Sequence, residues 1–192
     1  MENKSRGRDK FDKYKNIIYL LVNIISVLPR RLRMLLMNSF RNQNGIPGLV
    51  IRYILLRSLT NKCGYNVSIH PGVYIFHLEN LVVGDNVSIH PMCYIDAIGG
   101  IEIGDDVSIA HSTTIMSSEH KYTDCDILIK NQGVIYRETI IKSNVWIGAG
   151  ARILAGSVIN EGAIIASGAV IKNTVESNYI YGGVPGKKIK ER

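Results

Sequence analysis

The stretch IKSNVWIGAGARILAGSVINEGAIIASGAVI, residues 141–171, places an isoleucine at every sixth position: Ile141, Ile147, Ile153, Ile159, Ile165 and Ile171. A second lane of small or β-branched residues runs at the same interval through Val145, Ala151, Ser157, Ala163 and Ala169. An α-helix repeats every 3.6 residues and a strand every two, so neither explains a period of six. Internal repetition of this kind is the mark of a solenoid.

Upstream the repeat lengthens to twenty. Asn66-Val67-Ser68-Ile69-His70-Pro71 returns as Asn86-Val87-Ser88-Ile89-His90-Pro91, then as Asp106-Val107-Ser108-Ile109-Ala110-His111. Ile75, Ile95 and Ile115 share the spacing, as do Val83 and Ile103. Each repeat holds steps of six, eight and six, which is three hexads with two extra residues at one corner. The implied object is a triangular coil of three short strands, each sending one aliphatic side chain inward. Stacking such coils about 4.8 Å apart buries the aliphatic columns and pairs the backbones. Gly84, Gly104, Gly148 and Gly168 are expected at tight corners with little room for a side chain.

These hexads, the run Asn144-Val145-Trp146-Ile147-Gly148 and the ending Gly183-Val184-Pro185 resemble the hexapeptide-repeat acyltransferases, in particular the sugar and polysaccharide O-acetyltransferases. The resemblance covers about residues 66–190. It implies an all-β catalytic domain, a left-handed parallel β-helix over 66–175, followed by a basic tail over 176–192, while the preceding 1–65 read from their own residues as a basic, mainly helical segment. It also implies acetyl-CoA as co-substrate, no metal, a sugar or glycan acceptor, and a homotrimer with the cofactor between neighbours.

The hexads lapse between about Ser117 and Thr139, and an insertion in a regular solenoid is a natural place for function. His120 lies near its start, where the resemblance implies the general base. A sugar hydroxyl is a weak nucleophile, and a neutral imidazole can take its proton as the oxygen attacks a thioester. The oxyanion then needs a fixed donor, and the resemblance assigns the Ala149 N–H. It further implies acceptor contacts at His90 and Asp96, although His70 and His90 as equivalent corner residues are equally explained by a structural ladder. Asp96 could bind the acceptor or orient His120. Ala149 and Ser167 are expected along the pantetheine, with Lys172, Lys187 and Lys190 near the CoA phosphates. A solvated loop histidine and a solvated basic tail are the plainer alternatives for His120 and the lysines.

Serine or amino-sugar N-acetylation, and a non-catalytic scaffold, remain alternatives on the same repeat. A γ-type carbonic anhydrase is disfavoured, because His111 and His120 are nine residues apart.

The net charge of +7 is unevenly placed. Residues 1–65 carry thirteen Lys/Arg against three Asp/Glu, whereas 66–192 carry ten against thirteen. No nucleic-acid module accompanies this basicity, which points instead to an anionic membrane surface. The apolar run Ile17–Leu28 is twelve residues long, against about 20 for a bilayer span. Flanked by Lys13, Lys15, Arg30, Arg31 and Arg33, it reads either as an interfacial helix, giving residues 1–45 a peripheral membrane contact, or as a helix packed on protein. Leu49–Leu59, with Arg52 and Arg57 among apolar residues, reads as a helix that caps the first coil. Three cysteines without metal-like spacing suggest reduced thiols and a cytoplasmic protein, with Cys93 in the core.

Overall fold

A computed structural model describes residues 7–192. Three helices, α1 (Gly7–Ser26), α2 (Arg30–Ser39) and α3 (Gly45–Leu59), precede a parallel β-solenoid of about six turns, consistent with a left-handed β-helix. The first face stacks Lys62–Cys63, Leu81–Val83, Ile101–Ile103, Thr139–Ile141, Val158–Ile159 and Thr174–Val175. The second stacks Ser68–Ile69, Ser88–Ile89, Ser108–Ile109, Trp146–Ile147, Ile164–Ile165 and Tyr179–Gly182, with Lys187–Glu191 added antiparallel at its end. The third stacks Tyr74–Phe76, Tyr94–Asp96, Thr114–Met116, Arg152–Ile153 and Val170–Ile171.

Register follows the repeat read from the sequence. Ile69 lies opposite Ile89 and Ile89 opposite Ile109, while in the later coils Ile141 faces Ile159 and Ile147 faces Ile165. The isoleucines from 141 to 165 are fully buried in these columns and Ile171 nearly so. The polar members of the small-residue lanes are also buried, and their hydroxyls find backbone carbonyls. Ser157 Oγ donates to Leu154 O at 2.7 Å, Thr113 Oγ1 to Ala110 O at 2.8 Å and Thr139 Oγ1 to Met116 O at 2.7 Å. Satisfied in this way, a buried hydroxyl escapes the desolvation penalty of an unpaired one.

The glycines divide into two kinds, which corrects the expectation that all four share one role. A Cβ on Gly148 would lie 2.6 Å from Ser167 N, and one on Gly104 would lie 2.8 Å from Ser143 N, so close approach of successive coils excludes it. Gly168 meets nothing within 4 Å and instead has φ +71°, a left-handed corner. Left-handed residues also explain why each NVSIHP-type repeat opens on Asn or Asp. Asn66, Asn86, Asp106 and Asn144 have φ between 53° and 59°, a region Asn and Asp tolerate better than most residues. Their side chains form a ladder, with Asn66 Nδ2 donating to Asn86 Oδ1 at 3.1 Å and Asn86 Nδ2 to Asp106 Oδ1 at 3.0 Å.

On the faces, each coil donates its N–H groups to carbonyls of the following coil: Ser68 N to Val87 O at 2.8 Å, Tyr74 N to Cys93 O at 2.9 Å. The first coil therefore presents carbonyls that no earlier coil can satisfy, and its cap must supply donors. The two arginines of α3 do so. Arg52 Nε donates to Ile69 O at 2.8 Å, and Arg57 Nη1 donates to Cys63 O at 2.6 Å and Gly64 O at 2.9 Å. Arg52 is 1% exposed, and its Nη1 also closes the end of α2 through Phe40 O at 2.9 Å and Gln43 O at 2.7 Å. Burial lowers its pKa from the usual arginine value. Helix α1 packs on α3 through the buried Ile18 and Val22, with Phe11 edge-on to Tyr53 at 5.2 Å.

Candidate active site

The inserted segment of residues 117–139 is a β-hairpin. Ser118–His120 pairs antiparallel with Val134–Tyr136, so His120 lies opposite Val134 at the outer end of the ladder. Its root is fixed to the preceding coil: Ser117 Oγ donates to Asp96 O at 2.7 Å and accepts from Gly99 N at 2.9 Å. The pair Glu119–Arg137, at 3.0 Å, ties the two strands together. The His120 side chain is exposed and makes no hydrogen bond or ion pair among the described residues. An imidazole held on a pinned strand with both ring nitrogens free is geometrically able to act as a base.

Beneath the root, the Asp96 carboxylate is 2.9 Å from His77 Nδ1, and it accepts the Ile98 N–H at 3.3 Å through the same oxygen. His77, at φ +56°, occupies the two-residue expansion of its coil. The sequence drew no attention to His77, because the twenty-residue repeat carries it onto an alanine, Ala97, and not onto a second histidine. The third face beside this pair carries Tyr74, Phe76 and Tyr94, each about two-fifths exposed.

A second set of expected residues lies at the corner between the second and third faces. His70 and His90 stack there with centroids 4.9 Å apart and planes 14° from parallel. Burial, then His90, then Arg52 hold the His70 pKa below the ordinary histidine value. A corner ladder follows: Met92 N donates to Pro71 O, Ser112 N to Pro91 O, Gly150 N to His111 O and Gly168 N to Ala149 O at 2.9 Å. Ala149 is thus held by its carbonyl, while its N–H makes no hydrogen bond among the described residues. One coil on, Ser167 is exposed. Ala149, half-buried, and Ser167 thus place small side chains one coil apart at this corner, beside the buried Gly148.

Lys172 is exposed at the end of the third face. The tail is an ordered strand on the second face, setting Lys187 opposite Gly182 and Lys190 opposite Ile180, both exposed. Lys188 is engaged elsewhere: its Nζ is 2.7 Å from Glu176 Oε2 and 3.5 Å from the Tyr179 ring centroid. Trp146 stands half-exposed on the second face between Ser108 and Ile164.

The expected residues therefore fall into two groups on one chain. His120, Asp96 and His77 belong to the corner between the third and first faces; Ala149 and Ser167 belong to the corner between the second and third. A hexad at about 3.3 Å per residue separates such corners by up to about 20 Å.

Residues 138–173 match the family described as bacterial transferase hexapeptide (six repeats). The chain carries this transferase hexapeptide repeat. Solved structures share its fold. A hexapeptide-repeat acetyltransferase from Vibrio cholerae, complexed with acetyl-CoA, aligns with a TM-score of 0.75 at 24% identity, over 84% of this chain and 86% of that one. A maltose O-acetyltransferase from Clostridium difficile aligns with a TM-score of 0.72 at 26% identity, over 87% and 88%. An N-acyltransferase from Bacillus cereus, in complex with dTDP and CoA, aligns with a TM-score of 0.59 at 24% identity, over 68% and 83%. No curated protein sequence matches significantly. The matched repeat covers the solenoid just after the hairpin, residues 138–173.

Proposed function

We propose that this protein transfers an acetyl group from acetyl-CoA to a hydroxyl of a sugar or glycan precursor, in the cytoplasm, with His120 as general base. The observation that carries this reading is the exposed, unbonded His120 on a hairpin set into a hexapeptide solenoid. Neutral His120 takes the hydroxyl proton as the oxygen bonds to the thioester carbonyl carbon. The Ala149 N–H, rigidly placed by its own carbonyl, stabilises the oxyanion. Collapse breaks the C–S bond, and the departing thiolate receives the proton from the imidazolium.

Acetyl-CoA suits the residues present. Ala149 and Ser167 offer a low edge for pantetheine, and Lys172, Lys187 and Lys190 are exposed cations for its phosphates. Asp96, steadied by His77, and His90 are the acceptor contacts in this reading. The two groups lie on different corners of one chain, so in this reading the working site joins the hairpin corner of one protomer to the small-residue corner of its neighbour, in the homotrimer that the resemblance implies. The acetyl-CoA and maltose acetyltransferase neighbours support the donor and acceptor classes.

The test is thiol release from acetyl-CoA by the purified protein, against a panel of sugars, amino sugars and glycan precursors. Release driven by hydroxyl acceptors is expected. Release only with amino sugars would replace the hydroxyl reading, and none with any acceptor would count against transfer.

A further inference from the structure

Helices α1 and α2 pack on α3, which makes most of the contact with the open edge of the solenoid, and among the described residues both keep exposed apolar side chains on the outer side. On α1 that face carries Ile17, Leu20, Leu21 and Ile24, with Val27 in the turn just after it, and on α2 Leu32 and Leu35. Val27 is 84% exposed and the others 38–61%. They are not the residues that hold the helices down, since Ile18, Val22 and Met37 do that from the inner side. Tyr14, Ile17, Leu21 and Ile24 follow alternating steps of three and four within α1, which sets them along one stripe.

The basic residues of this segment fall into two groups. Arg30 pairs with Glu79, Arg33 donates to Ser58 O, and Arg52 and Arg57 hold the coil edge. Those charges serve the fold. Lys13, Lys15 and Arg31 are exposed beside the apolar stripe and have no acidic partner among the described residues. Over residues 1–35 the sequence holds nine Lys/Arg against three Asp/Glu.

We propose that the outer face of α1 and α2 docks flat on an anionic lipid surface. Among the described residues no helix is long and apolar enough to cross a membrane. A short apolar stripe edged by cations lies instead at the headgroup boundary, with its side chains entering the acyl region. Charge decides between a bilayer and a second copy of the chain. Two such faces placed together would oppose like charges, whereas anionic lipid complements them. The inference stands apart from the proposed chemistry, because it uses none of the residues of the candidate active site.

The experiment is sedimentation of the full chain with vesicles of phosphatidylcholine containing phosphatidylserine, and with phosphatidylcholine alone. Binding to the anionic vesicles that weakens with added salt is expected. Replacing Ile24 and Val27 by serine should abolish it. Lys13→Gln with Lys15→Gln and Arg31→Gln should weaken it about a hundredfold, at about fivefold for each cation. These variants change outward side chains, and the charge variant leaves the apolar packing intact, so a folding defect in one does not remove the test. Light scattering should give every variant the oligomeric state of the parent. Absence of parent binding, or unchanged binding in both variants, would overturn the proposal. Dissociation of the oligomer on replacing Ile24 and Val27, without vesicle binding by the parent, would assign the face to a second copy instead.

Discussion

Replacing Arg52 by methionine tests the account of how the solenoid begins. Methionine keeps much of the buried stem and removes the guanidinium. The carbonyls of Ile69 and Gln43, met at 2.8 and 2.7 Å by a side chain itself 1% exposed, then lose this donor, while Phe40 O keeps the Gln43 N–H at 3.2 Å. A buried carbonyl left unmet costs about 1–3 kcal/mol. Release of the desolvated guanidinium offsets part of this, the more so because its Nη2 has no partner. The net expectation is a loss of about 2–4 kcal/mol. For a chain of this size, ~1 kcal/mol moves the melting temperature by about 2–4 °C, so thermal unfolding followed by circular dichroism should shift down by about 4–16 °C. Arg52→Lys should fall between, because an ammonium lacks the fork that reaches carbonyls of both the coil and the α2 end. A shift below about 2 °C in Arg52→Met would refute the view that α3 caps by donating to the first coil.

Two further outcomes follow from named contacts. Lys187→Gln combined with Lys190→Gln should raise the KM for acetyl-CoA and reduce its dependence on salt, whereas Lys188→Gln, already committed to Glu176 and Tyr179, should change KM less; steady-state kinetics across ionic strength reads both. The folded protein holds the His70 pKa below its ordinary 6.5, through burial first and then His90 and Arg52, so the unfolded chain binds that proton more readily. The stability concerned is whole above the unfolded value and is lost as pH falls through 6.5 toward the folded one. His70→Gln should therefore flatten the fall in melting temperature between about pH 7 and pH 5.

The solenoid was legible because its geometry is periodic. Each inward isoleucine repeats at the interval of its face, and register carries Ile69 onto Ile89 and Ile147 onto Ile165. The left-handed Asn and Asp corners were legible in the same way, as the first letter of each NVSIHP-type repeat, but their physical cause emerges only from the backbone angles. Features that occur once left no such trace. His77 meets Asp96 because an expanded corner turns it back onto the next coil, and no second copy of that pair exists to mark it. The hairpin holding His120 shows in the sequence as an interruption, not as two strands, because residues 117–139 obey no hexad. Lys188 looks like its neighbours in the basic tail, and only the return of Lys187–Glu191 along Tyr179–Gly182 shows that Glu176 engages it. The N-terminal basicity divides similarly. Arg52 and Arg57 are structural donors, a role net charge cannot distinguish from surface attraction.

The central claim is that His120 removes the acceptor proton. Turnover of acetyl-CoA by the parent and by His120→Ala, with acetyl-CoA affinity measured separately by calorimetry, tests it most directly. The account predicts turnover lower by roughly 10²–10⁴-fold at nearly unchanged acetyl-CoA affinity. Near-normal turnover in His120→Ala would contradict it and move the base elsewhere, with His90 the next residue to replace.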